Sequence, residues 1–273
     1  AQVQAIETRD IQSLTNTQLA GLATDTVQAL STDQIQALKT SQLGALSSTN
    51  VQALTTSQVV ALETADLAVL STANLRALST AQVAALTTDQ VAALTTAQAL
   101  GLSSSNIYAL TTDQVVALTS AQAGVLTSDQ VSALSATQVS KLETADLAKL
   151  STTAVAALSS AQTRSLTTDQ VVALNTADVR AITTAHAAAL TSDQVVALST
   201  DQLVALSTLQ VSNLTTDQLV ALTTDQLVAM EAGILPKASH HTIGQTIFSF
   251  FACTSEPQNF EIAAYKRSVP IAI

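Results

Sequence analysis

Large side chains are almost missing from this chain. It has no tryptophan, aromatic residues make up 2%, and a core of Leu, Val and Ala must therefore be thin and regular. A single cysteine, Cys253, excludes an internal disulfide framework, and no catalytic partner lies near it in sequence. No apolar run is long enough to cross a bilayer, which excludes a membrane-spanning helix. Positive charge is scarce, with 10 Lys and Arg against 20 Asp and Glu and a net charge of −10. Such a chain has no basic footprint for nucleic acid or for an anionic membrane surface. All three prolines fall after residue 233, and residues 6–229 hold only Gly21, Gly44, Gly101 and Gly124. Hydrophobic residues nevertheless make up 47% of the chain, too many for a disordered segment.

What is present is repetition. Residues 6–229 divide into 28 consecutive octapeptides of the form L-[ST]-[ST]-x-Q-[VLI]-x-A, such as Leu110–Ala117 (LTTDQVVA) and Leu222–Ala229 (LTTDQLVA). Position 1 is Leu in all units but two, which carry Ile6 and Ile182, and position 5 is Gln in 18. Self-similarity at a short fixed period means a stacked, quasi-one-dimensional array in which each unit is held by its neighbours. The division is thus a lead-in (1–5), a repeat body (6–229) and a non-repetitive C-terminal segment (230–273).

One continuous helix is excluded, because eight residues advance it by about 800° and equivalent positions drift by about 80° per unit. A turn must reset every octapeptide, and position 2 to position 5 carries the capping-box spacing [ST]-x-x-Q, as in Thr111/Gln114 and Thr167/Gln170. Where position 2 is Glu (Glu7, Glu63, Glu143), position 5 is Asp (Asp10, Asp66, Asp146), so the two positions are expected to meet. Positions 6 and 1 of the next unit are three apart and share an inward face, as Val115 and Leu118 do. The fold expected is an all-α solenoid of very short stacked helices, each of about six residues. The alternative is a β-solenoid, favoured by Val and Thr but lacking the Gly, Asn or Asp corners that tight β-coils use. With two octapeptides per coil, stacked helices would give a rod of roughly 130 Å, and stacked strands one of roughly 65 Å.

Little chemistry converges. His240-His241 has no further ligand at metal spacing, and His186 stands where Gln is usual. No catalytic residue, cofactor or metal site is expected, and the Asp residues at position 4, such as Asp193 and Asp201, read as a solvated acidic face. At position 7, Val116, Val172, Val196, Val204, Val220 and Val228 form either an exposed apolar stripe or part of the stack. The C-terminal segment holds Phe248, Phe250, Phe251, Phe260 and Tyr265. It reads as a cap on the array, an assembly element, or a remnant.

The unit, as in Leu86–Ala93 (LTTDQVAA) and Leu190–Ala197 (LTSDQVVA), resembles octapeptide tracts of very large repetitive bacterial surface and secreted proteins. The resemblance covers 6–229 and implies an extracellular, adhesin-like or matrix role with no catalytic motif to carry over. The start at Ala1 fits removal of an export signal, so a secreted or cell-surface location is expected. The function expected is structural: a self-assembling filament, stalk or surface fibre built from copies of the same chain. Its subunit contacts would come from the position-7 valines and the aromatic residues after 233. The alternative is an adhesin-type binding module for a protein or glycan, with Arg76, Tyr108, Arg164 and Arg180 clustered on one face. Ice binding, suggested by the Thr ladders, is opposed by the charges set among them.

Overall fold

A computed structural model of the chain describes residues 3–233. After a single 3₁₀ turn (Val3–Ala5) come 28 short helices, one per octapeptide, from α1 (Thr8–Ile11) to α28 (Thr224–Gly233). No strand occurs among the described residues, which rules out the β-solenoid. Most helices occupy positions 3 to 8, as α10 (Thr80–Ala85) does.

The corner between helices needs only two residues. Leu110 (φ −58°, ψ 137°) and Thr111 (φ −71°, ψ 164°) are both extended, a conformation open to any L-residue. No residue among those described has a positive φ. The scarcity of glycine thus has a local cause, since the turn is built from the leucine and the capping residue themselves.

Each helix stacks on the third one before it and the third one after it, so three octapeptides complete a coil. The octapeptide left this number open, and the rod length worked out for two per coil does not apply. At three per coil the 28 helices give just over nine coils, and at about 9–10 Å per helix layer the body is roughly 90 Å long. The physical reason is closure. Three short helices set as a triangle point the position-6 and position-1 side chains of every unit at one axis. Val115 and Val131 have no exposed surface, and Leu110 and Leu118 keep only 4–5% of theirs. A single six-residue helix has no independent stability, so this shared apolar column supplies what isolated helices lack.

The close fit between coils falls on position 8. A Cβ added to Gly101 at the end of α12 (Thr96–Gly101) would lie 2.8 Å from Cβ of Thr72 in α9 (Thr72–Ala77), one coil earlier. At this layer position 8 faces the backbone-proximal part of position 3 in the coil before it and has no room for a side chain.

Candidate functional site

Among the described residues no three His, Cys, Asp or Glu side chains converge as a metal cluster would require. No described helix is long and apolar enough to cross a membrane. What the geometry builds instead is a repeated internal seam and an outer apolar row.

The seam begins at the caps. A six-residue helix leaves most of its backbone N–H and C=O groups without intrahelical partners. In α14 (Thr112–Val116) the Thr111 hydroxyl accepts from the Gln114 N–H at 3.2 Å, and Gln114 Oε1 accepts from the Thr111 N–H at 2.7 Å. The same reciprocal pair joins Thr167 and Gln170, at 3.1 and 2.8 Å.

Gln114 then does a second job. Its Nε2 donates to the carbonyls of Leu86 at 2.6 Å and Val83 at 2.9 Å, which are C-terminal carbonyls of α10 in the previous coil. One side chain therefore satisfies the start of its own helix and the end of another in the coil before it. The position-5 glutamines from Gln34 to Gln226 all donate backward in this way, and Gln114 is 2% exposed. Asn does the same over a shorter reach: Asn106 donates to the Leu78 carbonyl at 2.9 Å. The capping-box spacing alone did not show this second bond. A signal for it was present, since a capping box tolerates Glu as well as Gln and no octapeptide carries Glu at position 5. The amide donor is what Glu lacks.

His186 imitates the glutamine. Its Nδ1 accepts from the Thr183 N–H at 3.3 Å, and its other ring N–H serves the Leu158 carbonyl, one coil earlier. Burial pushes its pKa below the usual histidine value, partly offset by the bond to Leu158. Asp at the same position has no donor when ionised. Asp66 is pushed above the usual carboxylate range, first by burial and further by the charge of Glu63, against hydrogen bonds from Thr40 and the Glu63 backbone.

The outer row is built by the three-helix coil. Val172, Val196 and Val220 lie on α21 (Thr168–Ala173), α24 (Ser192–Ala197) and α27 (Thr216–Ala221), which stack directly on one another. They are 55%, 38% and 61% exposed, with Asp169, Asp193 and Asp217 on the same three helices. Val228 is exposed in a different column, where Val204 is half-covered near Gly233. Val116 is the exposed position-7 valine of the third column. Arg76, Tyr108, Arg164 and Arg180 are spread over all three columns and share no single face. Phe248, Phe250, Phe251, Phe260, Tyr265, His240, His241 and Cys253 lie outside the described residues.

The ion pairs among the described residues are those of Arg9 with Glu7 (3.0 Å) and Asp10 (3.6 Å), all at the surface. The acidic residues of the outer faces are left to solvent and to whatever meets those faces.

No curated protein matches the chain. A family model, the ALTTAQ repeat, matches it seven times, at residues 3–40, 35–64, 59–96, 104–136, 139–176, 171–208 and 200–232. Each match spans more than one coil of the solenoid, and together they cover most of the described body. The chain belongs to the ALTTAQ repeat family.

Proposed function

We propose that this chain is a structural, extracellular protein that associates with copies of itself into a filament, stalk or surface fibre and performs no catalysis. The observation that carries this reading is the row Val172, Val196 and Val220, three exposed aliphatic side chains repeated at the coil spacing along one face. A regular rod that repeats one apolar contact every coil is suited to lateral association, because small contacts add along its length. The octapeptide's resemblance to tracts of bacterial surface and secreted proteins supports a cell-surface or secreted setting. Residues 234–273, with their four phenylalanines, are assigned the end-to-end joint.

Sedimentation velocity over a concentration series tests the lateral contact. The chain should associate as concentration rises, and more strongly in added salt, which screens Asp169, Asp193 and Asp217. Val196→Lys should stay a single rod under the same conditions. Equal association by the variant would refute the valine row as the contact. A chain ending at residue 232 should keep the rod and lose long polymers; long polymers without the tail would remove the joint. Single rods at every concentration would favour the adhesin-type module, which recognises a protein or glycan instead of its own copies.

A further inference from the structure

Four octapeptides carry Asp at position 5, and their surroundings differ. Asp10 lies in the first coil, next to the Arg9 guanidinium at 3.6 Å. Asp178 receives the side-chain amide of Asn175, the capping residue of its own helix, at 2.5 Å. Asp66 and Asp146 have neither a cation nor a side-chain amide beside them, and both have Glu as the capping residue.

Asp146, at the start of α18 (Thr144–Leu147), shows the consequence. It is 2% exposed, and its Oδ1 accepts from the Ser120 hydroxyl at 2.6 Å. Its Oδ2 is buried with no hydrogen-bond partner. Asn74 has the same shape and the same anchor, with its Oδ1 accepting from the Ser48 hydroxyl at 3.0 Å. The other terminal atom of Asn74, Nδ2, donates to the Leu46 carbonyl one coil earlier, at 2.9 Å. By that equivalence Asp146 Oδ2 faces the carbonyl of Leu118, and Leu118 O accepts no hydrogen bond from the described residues. Two acceptors confront each other where every glutamine unit of the stacked coils places an N–H. Glu143, three residues earlier at the cap, is exposed and makes no capping bond, so its carboxylate is free to turn toward the same corner.

We propose that Glu143, Asp146 and the Leu118 carbonyl form a site for a hard divalent cation of the calcium class. The cation takes the place of the missing amide, balances the two carboxylates and bridges one coil to the next. Oxygen donors of this kind suit calcium, which fills its remaining positions with water. The same residue types recur one column away at Glu63, Asp66 and Leu38, with Thr40 in the role of Ser120. This gives a physical reason for the pairing of Glu at position 2 with Asp at position 5 in these two units. With so few protein ligands the affinity belongs to the weak end, on the order of 10⁻⁴–10⁻³ M.

The test is thermal unfolding of the full chain, stripped with a chelator, at neutral pH and fixed ionic strength, with and without millimolar calcium chloride. Calcium should raise the midpoint by roughly 3 °C. The rise should fall to about half in Asp146→Asn, where the new amide serves Leu118 and the second site remains. Asp113→Asn, which removes an exposed carboxylate, should leave the rise intact. Asn already occupies position 5 at 50, 74 and 106, so Asp146→Asn is compatible with the fold. The proposal is overturned if calcium leaves the midpoint of the unaltered chain unchanged. It is also overturned if Asp113→Asn reduces the response as much as Asp146→Asn does.

Discussion

Replacing Gln114 by alanine probes the seam at one point, and its cost can be worked from the bonds it removes. Gln114 accepts from the Thr111 N–H and donates to the Leu86 and Val83 carbonyls. Val83 O keeps another donor, the Leu86 N–H at 3.2 Å, so it is not orphaned. The Thr111 N–H and Leu86 O each lose the one partner they have among the described residues. Leu86 is buried, so its orphaned carbonyl costs about 1–3 kcal/mol, and the lost cap at exposed Thr111 adds about 1 kcal/mol, about 3 kcal/mol together before any cavity is counted. Gln114→Asn should cost only about 1 kcal/mol, because the shorter amide at Asn106 still caps its helix and still reaches the leucine carbonyl. Gln52→Ala, at exposed position 7, should stay within about 0.5 kcal/mol of the unaltered chain. Urea unfolding followed by circular dichroism reads the ranking, and hydrogen exchange at the Thr111 amide reads the local loss. A cost below about 1 kcal/mol for Gln114→Ala, or an Asn variant as costly as the Ala one, would refute the two-sided role of the glutamine.

Other substitutions test the same packing and its electrostatics. Asp66 has its pKa raised in the fold, so the fold favours its protonated form. Its ionisation opposes folding above the folded pKa, and stability returns as pH falls from there toward 3.8. Asp66→Asn should therefore stabilise the chain at neutral pH, with a gain that shrinks on acidification in paired urea titrations; a pH-independent difference would count against burial as the cause. His186 has its pKa lowered, so its contribution is complete above 6.5 and is lost as pH falls from 6.5 through the folded value. His186→Gln should flatten that acid loss in melts recorded across the same range. Gly101→Ala should destabilise by about 1–3 kcal/mol, since the added Cβ would meet Thr72 at 2.8 Å. Gly44→Ala, with its nearest contact at 3.5 Å, should stabilise by about 0.5–1 kcal/mol, and the opposite order in denaturant midpoints would contradict the layer geometry.

Much of the local structure was legible in the octapeptide. Turn, cap and inward face each depend on residues close together in the chain, as Thr111, Gln114, Val115 and Leu118 are. The number of helices per coil was not legible, because a strict octapeptide period repeats identically whether two or three units close a turn. The bond from Gln114 to Leu86 reaches back a whole coil, and in a uniform repeat every candidate partner looks alike. The irregular units were more informative than the regular ones. The pairing of Glu143 with Asp146 pointed to contact between cap and position 5, but Glu143 makes no capping bond and Asp146 Oδ2 is buried without a partner. The valines at position 7 could not be ordered from sequence at all. Their alignment as Val172, Val196 and Val220 appears only once the coil is known to hold three octapeptides.

The central claim is that this rod assembles with its own copies, and electron microscopy of the purified chain across a dilution series tests it most directly. The account predicts filaments or laterally paired rods that shorten on dilution into units roughly 90 Å long, the length of just over nine coils. Isolated rods of that length at every concentration would contradict it.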